Sequence, residues 1–496
     1  MATAETPATT DPTDMPATES SPPTPPPADP GDAIVSLRPS QRRLWLVLLA
    51  LSGLVAAGYG IHYLRSRPDP VRTLFVQQLP RYQLGRGKGI IPAGSPELAA
   101  MQTTLRRHPG VGAALAQLDA AYPDAEAIRT AGVGLSDALF AAHLPYYLDP
   151  QPIQQTTFLL SYAVVGQASW QAGGRSLLVR RLSRLDHLNI EMGLLGQTAR
   201  GRPVVFLDRI EAAVIRDLLD ASSRRKGSRP GRPLTDADQA ALYELRRVLA
   251  ARTGEAAIDD LVAALTERDE AIETMRRRLH GGRLEISKPE SFVFEDAWFE
   301  KLWPLTSLNN PGGPLIIDTD LRTVEFADAK LRRGAAQKTI AIVLDAIALG
   351  TEAHETRHAL DDEEESGAAR APGTAPARPV PPGLLALTGN DAVFAEKAER
   401  ELRAYLGELH DSPAPPCLTL VQSVRLVRGR YVRPTPHFFA HAFLLSRLGG
   451  DETLADPVAL IHRLCAEPEP ALRGRVAALW KEIYGSDLQA ATRQAL

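Results

Sequence analysis

The spacing of apolar positions changes character several times along the chain, and each change predicts a different element. Residues 1–41 carry almost no large apolar side chain and are dominated by Pro, Thr, Ala, Ser and Asp, including the run Ser21-Pro22-Pro23-Thr24-Pro25-Pro26-Pro27. Such a segment cannot bury enough surface to offset its ordering entropy, which predicts a disordered tail. Leu44 to Leu64 is then almost uninterruptedly apolar, with Trp45, Tyr59 and Tyr63 toward its ends and His62 as its one readily ionisable group. About 20 such residues match a hydrocarbon core of ~30 Å, so residues 42–65 are expected to form a single transmembrane anchor with 44–64 in the lipid bilayer. A cleaved signal peptide competes, since Val55 and Ala57 suit a small-residue cleavage site, but the preceding tail is longer than an ordinary charged n-region. Arg38, Arg42 and Arg43 before the span are matched by Arg65, Arg67 and Arg72 after it, so charge gives no orientation. A short tail, one span and all the folded mass beyond it suggest tail in, body out.

Within residues 66–221, Pro68 to Asp149 reads as helical pieces between turns, and from Gln154 the texture shifts to short β-branched or alternating runs (TTFLLSYAVV, RSLLVRRL, RPVVFLDRI) split by Gly-rich turns. These predict an antiparallel sheet. Residues 222–285 begin with a basic Gly/Pro linker, Ser222 to Pro233, read as a solvated loop, and continue to His280 with apolar residues at helical spacing. In residues 286–496, Gly313 to Asp318 and Thr323 to Phe326 read as a strand pair, and Lys338 to Glu365 as a long amphipathic helix. Asn390 to His410 reads as a second helix capped by Asn390 or Asp391. Leu418 to Val432 reads as a strand hairpin carrying Arg425, Arg428 and Arg430, and Pro436 opens a further helix.

Composition narrows the functions open to such a chain. With 496 residues, 44% of them hydrophobic, it can bury a core, and 56 Lys plus Arg against 59 Asp plus Glu give a net charge of -3. That balance supplies no positive field for a phosphate backbone, so no nucleic-acid partner is expected. Cys417 and Cys465 are too few for a disulfide framework or a four-cysteine zinc module, although they could form one bridge in an oxidising compartment. The Ala-, Arg- and Pro-heavy, Lys-poor composition points to a GC-rich bacterial genome, and hence to an inner membrane with the C-terminal body extracytoplasmic.

The chemistry sits inside the predicted helix 338–365, as His354-Glu355-Thr356-Arg357-His358. One helical turn separates the two histidines, so both imidazoles can reach one tetrahedral zinc ion at about 2.0–2.1 Å. Glu355 projects beside that face, where it can take a proton from water without ligating. The preceding turns, with Ile340, Ile342, Val343, Ala346, Ile347 and Leu349, are strongly apolar, so the helix belongs in a core where histidines need a partner.

A catalytic zinc needs a third protein ligand and an open position. On the second helix, Glu401-Leu402-Arg403-Ala404 resembles the E-x-x-A element by which gluzincin-type zinc metallopeptidases supply a carboxylate from a helix packed against the HExxH helix. The segment from Ile316 to His410 thus resembles a zincin catalytic core of the gluzincin type. The resemblance implies Zn2+ as cofactor, His354, His358 and Glu401 as its ligands, and Glu355 as general base. Ala404 is small enough for the helices to approach closely. Glu396 and Glu399 are rivals for the ligand position, since a helix presents one stripe to the metal.

Asp361 or Asp362 could accept the second N–H of an imidazole, or both could simply begin the acidic run that ends the helix. His437, His441, Tyr405 or Tyr431 could stabilise the oxyanion formed when water attacks a carbonyl. The expected fold class is α+β: a single N-terminal transmembrane helix, a mixed α/β middle region, and a zincin-like catalytic domain whose active-site helix packs on a small sheet. The expected function is a membrane-anchored zinc metallopeptidase acting on a protein or peptide substrate, held by the strand at Leu315 to Phe326. The alternative is a catalytically inactive zincin-like membrane scaffold or assembly protein.

Overall fold

Side-chain oxygens placed just ahead of a helix set many of the element starts. Asp124, Thr235, Asp391, Thr435 and Asp456 each accept a hydrogen bond from a first-turn amide, satisfying a donor that the helix itself leaves unpaired. The computed structural model describes residues 69–153, 156–186, 195–199, 201–221, 233–279, 318–367, 380–430, 432–450 and 454–495. Residues 69–496 cluster as one unit.

A helical run through residues 70–87 is followed by α1 (Pro96–Thr104), α2 (Pro109–Ala121) and α3 (Ala125–Ala141). Leu115, Leu118, Leu135 and Leu139 from these helices pack with Tyr146, Leu148 and Leu159 of the sheet. The sheet comprises β1 (Tyr146–Ile153), β2 (Thr156–Ala172), β3 (Arg175–Arg184), β4 (Gly196–Ala199) and β5 (Arg202–Phe206), in the order β1-β2-β3-β5-β4. Neighbours are antiparallel except β3 and β5, which run parallel. Gly173 and Gly174 make the β2–β3 turn with φ of +55° and +76°, the left-handed pair that a tight hairpin requires. Tyr147, Tyr162, Leu182, Val204 and Phe206 form an apolar cluster on one face. Gln197 on β4 donates to Tyr147 Oη (3.1 Å) and Asp149 Oδ1 (2.7 Å) on β1, at the other end of the strand order. The sheet therefore curls until its two ends exchange side-chain hydrogen bonds.

Helices supply the rest: α4 (Leu207–Ala221), α5 (Asp236–Thr253), α6 (Glu255–Leu279), α7 (Asp318–Leu331), α8 (Gly334–Gly367), α9 (Pro382–Leu387), α10 (Ala392–Asp411), α11 (Pro416–Arg428), α12 (Pro436–Gly449), α13 (Pro457–Ala466) and α14 (Glu469–Tyr484). The C-terminal strand β6 (Thr492–Ala495) returns to pair with β2. Cys417 on α11 and Cys465 on α13 are joined in a disulfide.

Helix α8 runs through the centre, and every residue from Thr351 to Asp361 is buried. A helix enclosed on all faces must satisfy each polar side chain it carries. Glu352, with no exposed surface, accepts from Arg181 Nε (2.5 Å), Arg493 Nε (2.7 Å) and Trp170 Nε1 (3.2 Å), tying α8 to β3, β6 and β2. Asp361 takes Arg357 (3.1 Å) and Arg403 (3.2 Å), and Arg403 also meets Glu399 (2.9 Å), tying α8 to α10. The Arg357 guanidinium lies over the Trp480 ring of α14 at 4.5 Å.

This architecture corrects the expected fold class. The chain is mostly helical around one curled sheet, and the HExxH helix packs on the sheet formed by residues 146–206 and 492–495. Thr323 to Phe326, expected as a strand, lie in α7, where Val324, Ala327, Asp328 and Leu331 form the buried stripe. Leu418 to Val432, expected as a hairpin, is largely α11, with Cys417, Leu420, Val421, Val424 and Val427 buried at helical spacing. In both segments β-branched residues suggested strands, while the three- and four-residue recurrence of the buried positions set the helix. No described helix is long and apolar enough to cross a membrane. The expected tail and span at 1–65, the linker at 222–232, Gly313 to Ile317 and residues 368–379 lie outside the described residues.

Candidate metal centre

His354 and His358 project one turn apart from α8 toward α10, their ring centroids 4.8 Å apart. On α10, capped by Asp391 through Phe394 N at 3.0 Å, Glu401 faces them with Oε2 3.4 Å from His354 Nε2 and 3.5 Å from His358 Nε2. The three ligand atoms lie within 4.8 Å of one another. Zinc bonds of 2.0–2.1 Å give a tetrahedron with edges of about 3.3–3.4 Å, close to both separations. Glu401 Oε2 is buried and makes no hydrogen bond in this arrangement. Two imidazole nitrogens converging on an unsatisfied carboxylate oxygen at tetrahedral-edge spacing fit a divalent cation.

Charge at the site points the same way. Burial opposes a proton on His354, but contacts with Glu401 and Glu408 and the nearby charge of Glu355 outweigh it, raising the imidazole to about 10. Burial pushes Glu401 up, yet His354, His358 and His437 hold it well below the usual carboxylate range. Protons and a divalent cation would compete for the same lone pairs.

Glu408, two turns beyond Glu401 on α10, lies with Oε2 3.3 Å from His354 Nδ1, while its Oε1 accepts from Thr419 of α11 at 2.7 Å. A carboxylate behind the second nitrogen of a ligating imidazole orients the ring and raises its basicity. Helix α8 makes room at Gly350, where an added Cβ would stand 2.9 Å from Glu408 Oε1. His358 has a different neighbour: Arg400 donates its Nε to His358 Nδ1 over a long 3.4 Å and its NH2 group to Asp362 Oδ1 at 2.6 Å. Binding a cation through His358 Nε2 puts the ring proton on Nδ1, so that long contact must open while Asp362 keeps the guanidinium.

Glu355 leans the other way, toward β4. Thr198 Oγ1 lies 2.9 Å from Glu355 Oε2 and 2.8 Å from the Glu355 carbonyl oxygen, so its single hydrogen serves one of them at a time. Gly196 allows the close approach: a Cβ there would fall 2.7 Å from Glu355 Cγ. Burial raises the Glu355 carboxyl above its ordinary value, the direction that suits a general base working near neutral pH. Opposite, His437 Nδ1 stands 3.1 Å from Glu401 Oε2 and 3.0 Å from Tyr405 Oη. Burial raises Tyr405 well above its ordinary value, so it keeps its proton. A cavity of about 220 Å³ opens on His354, Glu355, Tyr405 and His437.

The structure therefore brings together His354, Glu355, His358, Glu401, Tyr405 and His437. Asp361 instead serves the buried arginines, and Asp362 reaches His358 only through Arg400. His441 packs against the Tyr405 ring at 3.8 Å, and burial lowers its imidazole well below the ordinary value. Tyr431 lies outside the described residues. Of the rival acids, Glu399 is buried against Arg403, and Glu396 is exposed. Thr198, Gly196, Gly350 and the backing role of Glu408 were not read from the sequence. Glu408 had a signal, since it stands seven residues from Glu401 and so on the same helical stripe; Thr198 had none, because strand β4 reaches the helix only through tertiary packing. Glu244, Cys417 and Cys465 also cluster, but the two sulfurs are bonded to each other. No family model, curated protein or solved structure matches this chain.

Proposed function

We propose that the chain is a zinc-dependent metallopeptidase with the gluzincin-type ligand set His354, His358 and Glu401. The observation that carries this reading is the convergence of those three donors, at 3.4 and 3.5 Å, with Glu355 beside them and a cavity opening on the same residues. Zinc bound there would supply Lewis-acid polarisation of a carbonyl and acidify water to a pKa near 7.

The chain's own groups then divide the work. Glu355, oriented by Thr198, takes the proton of the attacking water and returns it to the leaving nitrogen. His437 and Tyr405 offer hydrogen-bond donors to the oxyanion that develops on the carbonyl. Among the described strands β4 pairs on one side only, with β5. The 315–326 segment, expected to hold the substrate as a strand, is helical in its described part.

The test uses the full chain. Zinc should be bound one per chain, and Glu355→Gln should retain it while hydrolysis of a general protein substrate falls by about 10²–10⁴-fold. Zinc retained by the parent chain with no hydrolysis of any protein or peptide would favour an inactive scaffold. Absence of zinc would overturn the reading outright.

A further inference from the structure

Cys417 lies in the first turn of α11 and Cys465 near the end of α13, and α5 brings an acid beside them. One carboxylate oxygen of Glu244 and the two sulfurs lie within 4.8 Å of one another, and all three residues are at most 9% exposed. Glu244 is held there from two sides: Oε1 meets His462 Nδ1 at 2.6 Å, and Oε2 accepts from Arg247 Nε at 2.6 Å. His462 stands three residues before Cys465, so both leave α13 on one face. A disulfide offers a carboxylate neither a proton nor a charge to meet. Once reduced, the same sulfurs do, because two thiolates and a carboxylate are among the donors that zinc takes.

Reach, thiolate character and charge all favour an ion at this place. Zinc–sulfur bonds of about 2.3 Å set two sulfurs about 3.8 Å apart in a tetrahedron. Cα atoms 5.0 Å apart allow that separation by rotation about χ1. Cys417 is the second residue of the 13-residue helix α11, and a helix N-terminus favours the thiolate over the thiol. In a buried space the charges should cancel, and two thiolates with Glu244 balance a divalent ion with Arg247. His462, whose side chain is 42% exposed, stands behind the carboxylate as the hydrogen-bonding partners of metal-bound carboxylates do. Water can take the fourth position.

We infer that Cys417, Cys465 and Glu244 form a second zinc site that becomes available when the disulfide is reduced, with His462 orienting Glu244. A dithiol that reduces the bond is itself oxidised to a cyclic disulfide, and its two protons pass to Cys417 and Cys465; the ion then displaces both protons as the thiolates ligate. In an oxidising compartment α11 and α13 are joined covalently, and in a reducing one through the ion. Thr419, two residues after Cys417, bonds Glu408 behind His354, so keeping α11 in place in both states also keeps the first centre supported. The second site does not depend on the peptidase reading.

The experiment uses the full chain with and without a phosphine reductant, which brings no thiol of its own and leaves as its oxide with oxygen from water. Zinc is counted after desalting, and cobalt(II) serves as the spectroscopic probe. The reduced chain should hold one more zinc than the oxidised chain. With cobalt it should show a thiolate-to-metal charge-transfer band in the near ultraviolet, which His354, His358 and Glu401 cannot produce. Zinc should slow alkylation of both thiols by iodoacetamide at least about tenfold, a readout on the parent chain that needs no variant. Cys417→Ser should abolish the band. Glu244→Gln should weaken cobalt binding to the reduced chain by more than about tenfold, and His462→Ala by about 10–100-fold, with the metal count of the oxidised chain unchanged in both. Equal zinc counts in the two states, a missing charge-transfer band, or alkylation indifferent to zinc each overturn the inference. So does a reduced chain that unfolds whether or not zinc is present, or a Glu244→Gln chain that binds cobalt as tightly as the parent.

Discussion

Replacing Asp361 by Asn tests whether that carboxylate belongs to the metal centre or to the framework behind it. Its oxygens meet Arg357 at 3.1 Å and Arg403 at 3.2 Å, and the side chains of all three residues are at most 4% exposed. Each contact corresponds to about 5 kcal/mol of Coulomb attraction at an effective dielectric of ~20, before desolvation is subtracted. Asn keeps the shape and removes the charge, leaving Arg403 paired with Glu399. Breaking a buried ion pair from one side costs about 3–5 kcal/mol, because a charge stays behind without compensation. Against a total stability on the order of 5–15 kcal/mol, Asp361→Asn should lower the urea midpoint sharply with little change in slope. Zinc affinity of the folded variant should stay within about threefold of the parent, since second-sphere losses of 10–100-fold accompany removal of a true backing group. A stability loss under about 1 kcal/mol, or a tenfold loss of zinc affinity without one, would refute this assignment.

Three other outcomes follow from the geometry. Glu408→Gln should weaken zinc binding about 10–100-fold in a chelator competition, with Thr419→Val producing a smaller loss; equal affinities would remove Glu408 from behind His354. Asp208, at the start of α4, has an oxygen without a hydrogen bond, and burial pushes its carboxyl from the ordinary 3.8 up to about 6. The folded chain thus holds that proton more tightly than the unfolded one, and the stability it contributes in acid is lost as pH rises from about 4 to 6. Asp208→Asn should therefore be more stable than the parent above pH 6 by on the order of 2–3 kcal/mol and lose the advantage near pH 4 in urea titrations. Reducing the Cys417–Cys465 bond, which closes a separation of 48 residues, should lower stability by about 4 kcal/mol on loop-entropy grounds, read as a drop in urea midpoint with reductant.

The parts of this site that the sequence made legible are those written in local periodicity. The HExxH spacing requires a helix, and α8 and α10 form where apolar recurrence and the Asp391 cap place them. Glu401 was singled out by its resemblance to the E-x-x-A element, whereas periodicity alone left Glu396 and Glu399 as rivals on the same helix. The segments read as strands at 323–326 and 418–432 failed because the type of side chain was weighed above its spacing. Asp361 looked like a partner for His358 from sequence distance alone, but three residues further along a buried helix is also where Arg357 and Arg403 reach it. Thr198 and Gly196 were invisible for another reason: their role exists only once a curled sheet brings β4 against α8, and no local pattern encodes that contact.

The account stands or falls on an ion at three named atoms. Crystals of the full chain grown with zinc should show, in an anomalous difference map at the zinc edge, one peak about 2.0–2.2 Å from His354 Nε2, His358 Nε2 and Glu401 Oε2. No peak there, or a peak on other side chains with these three still facing one another, would contradict it.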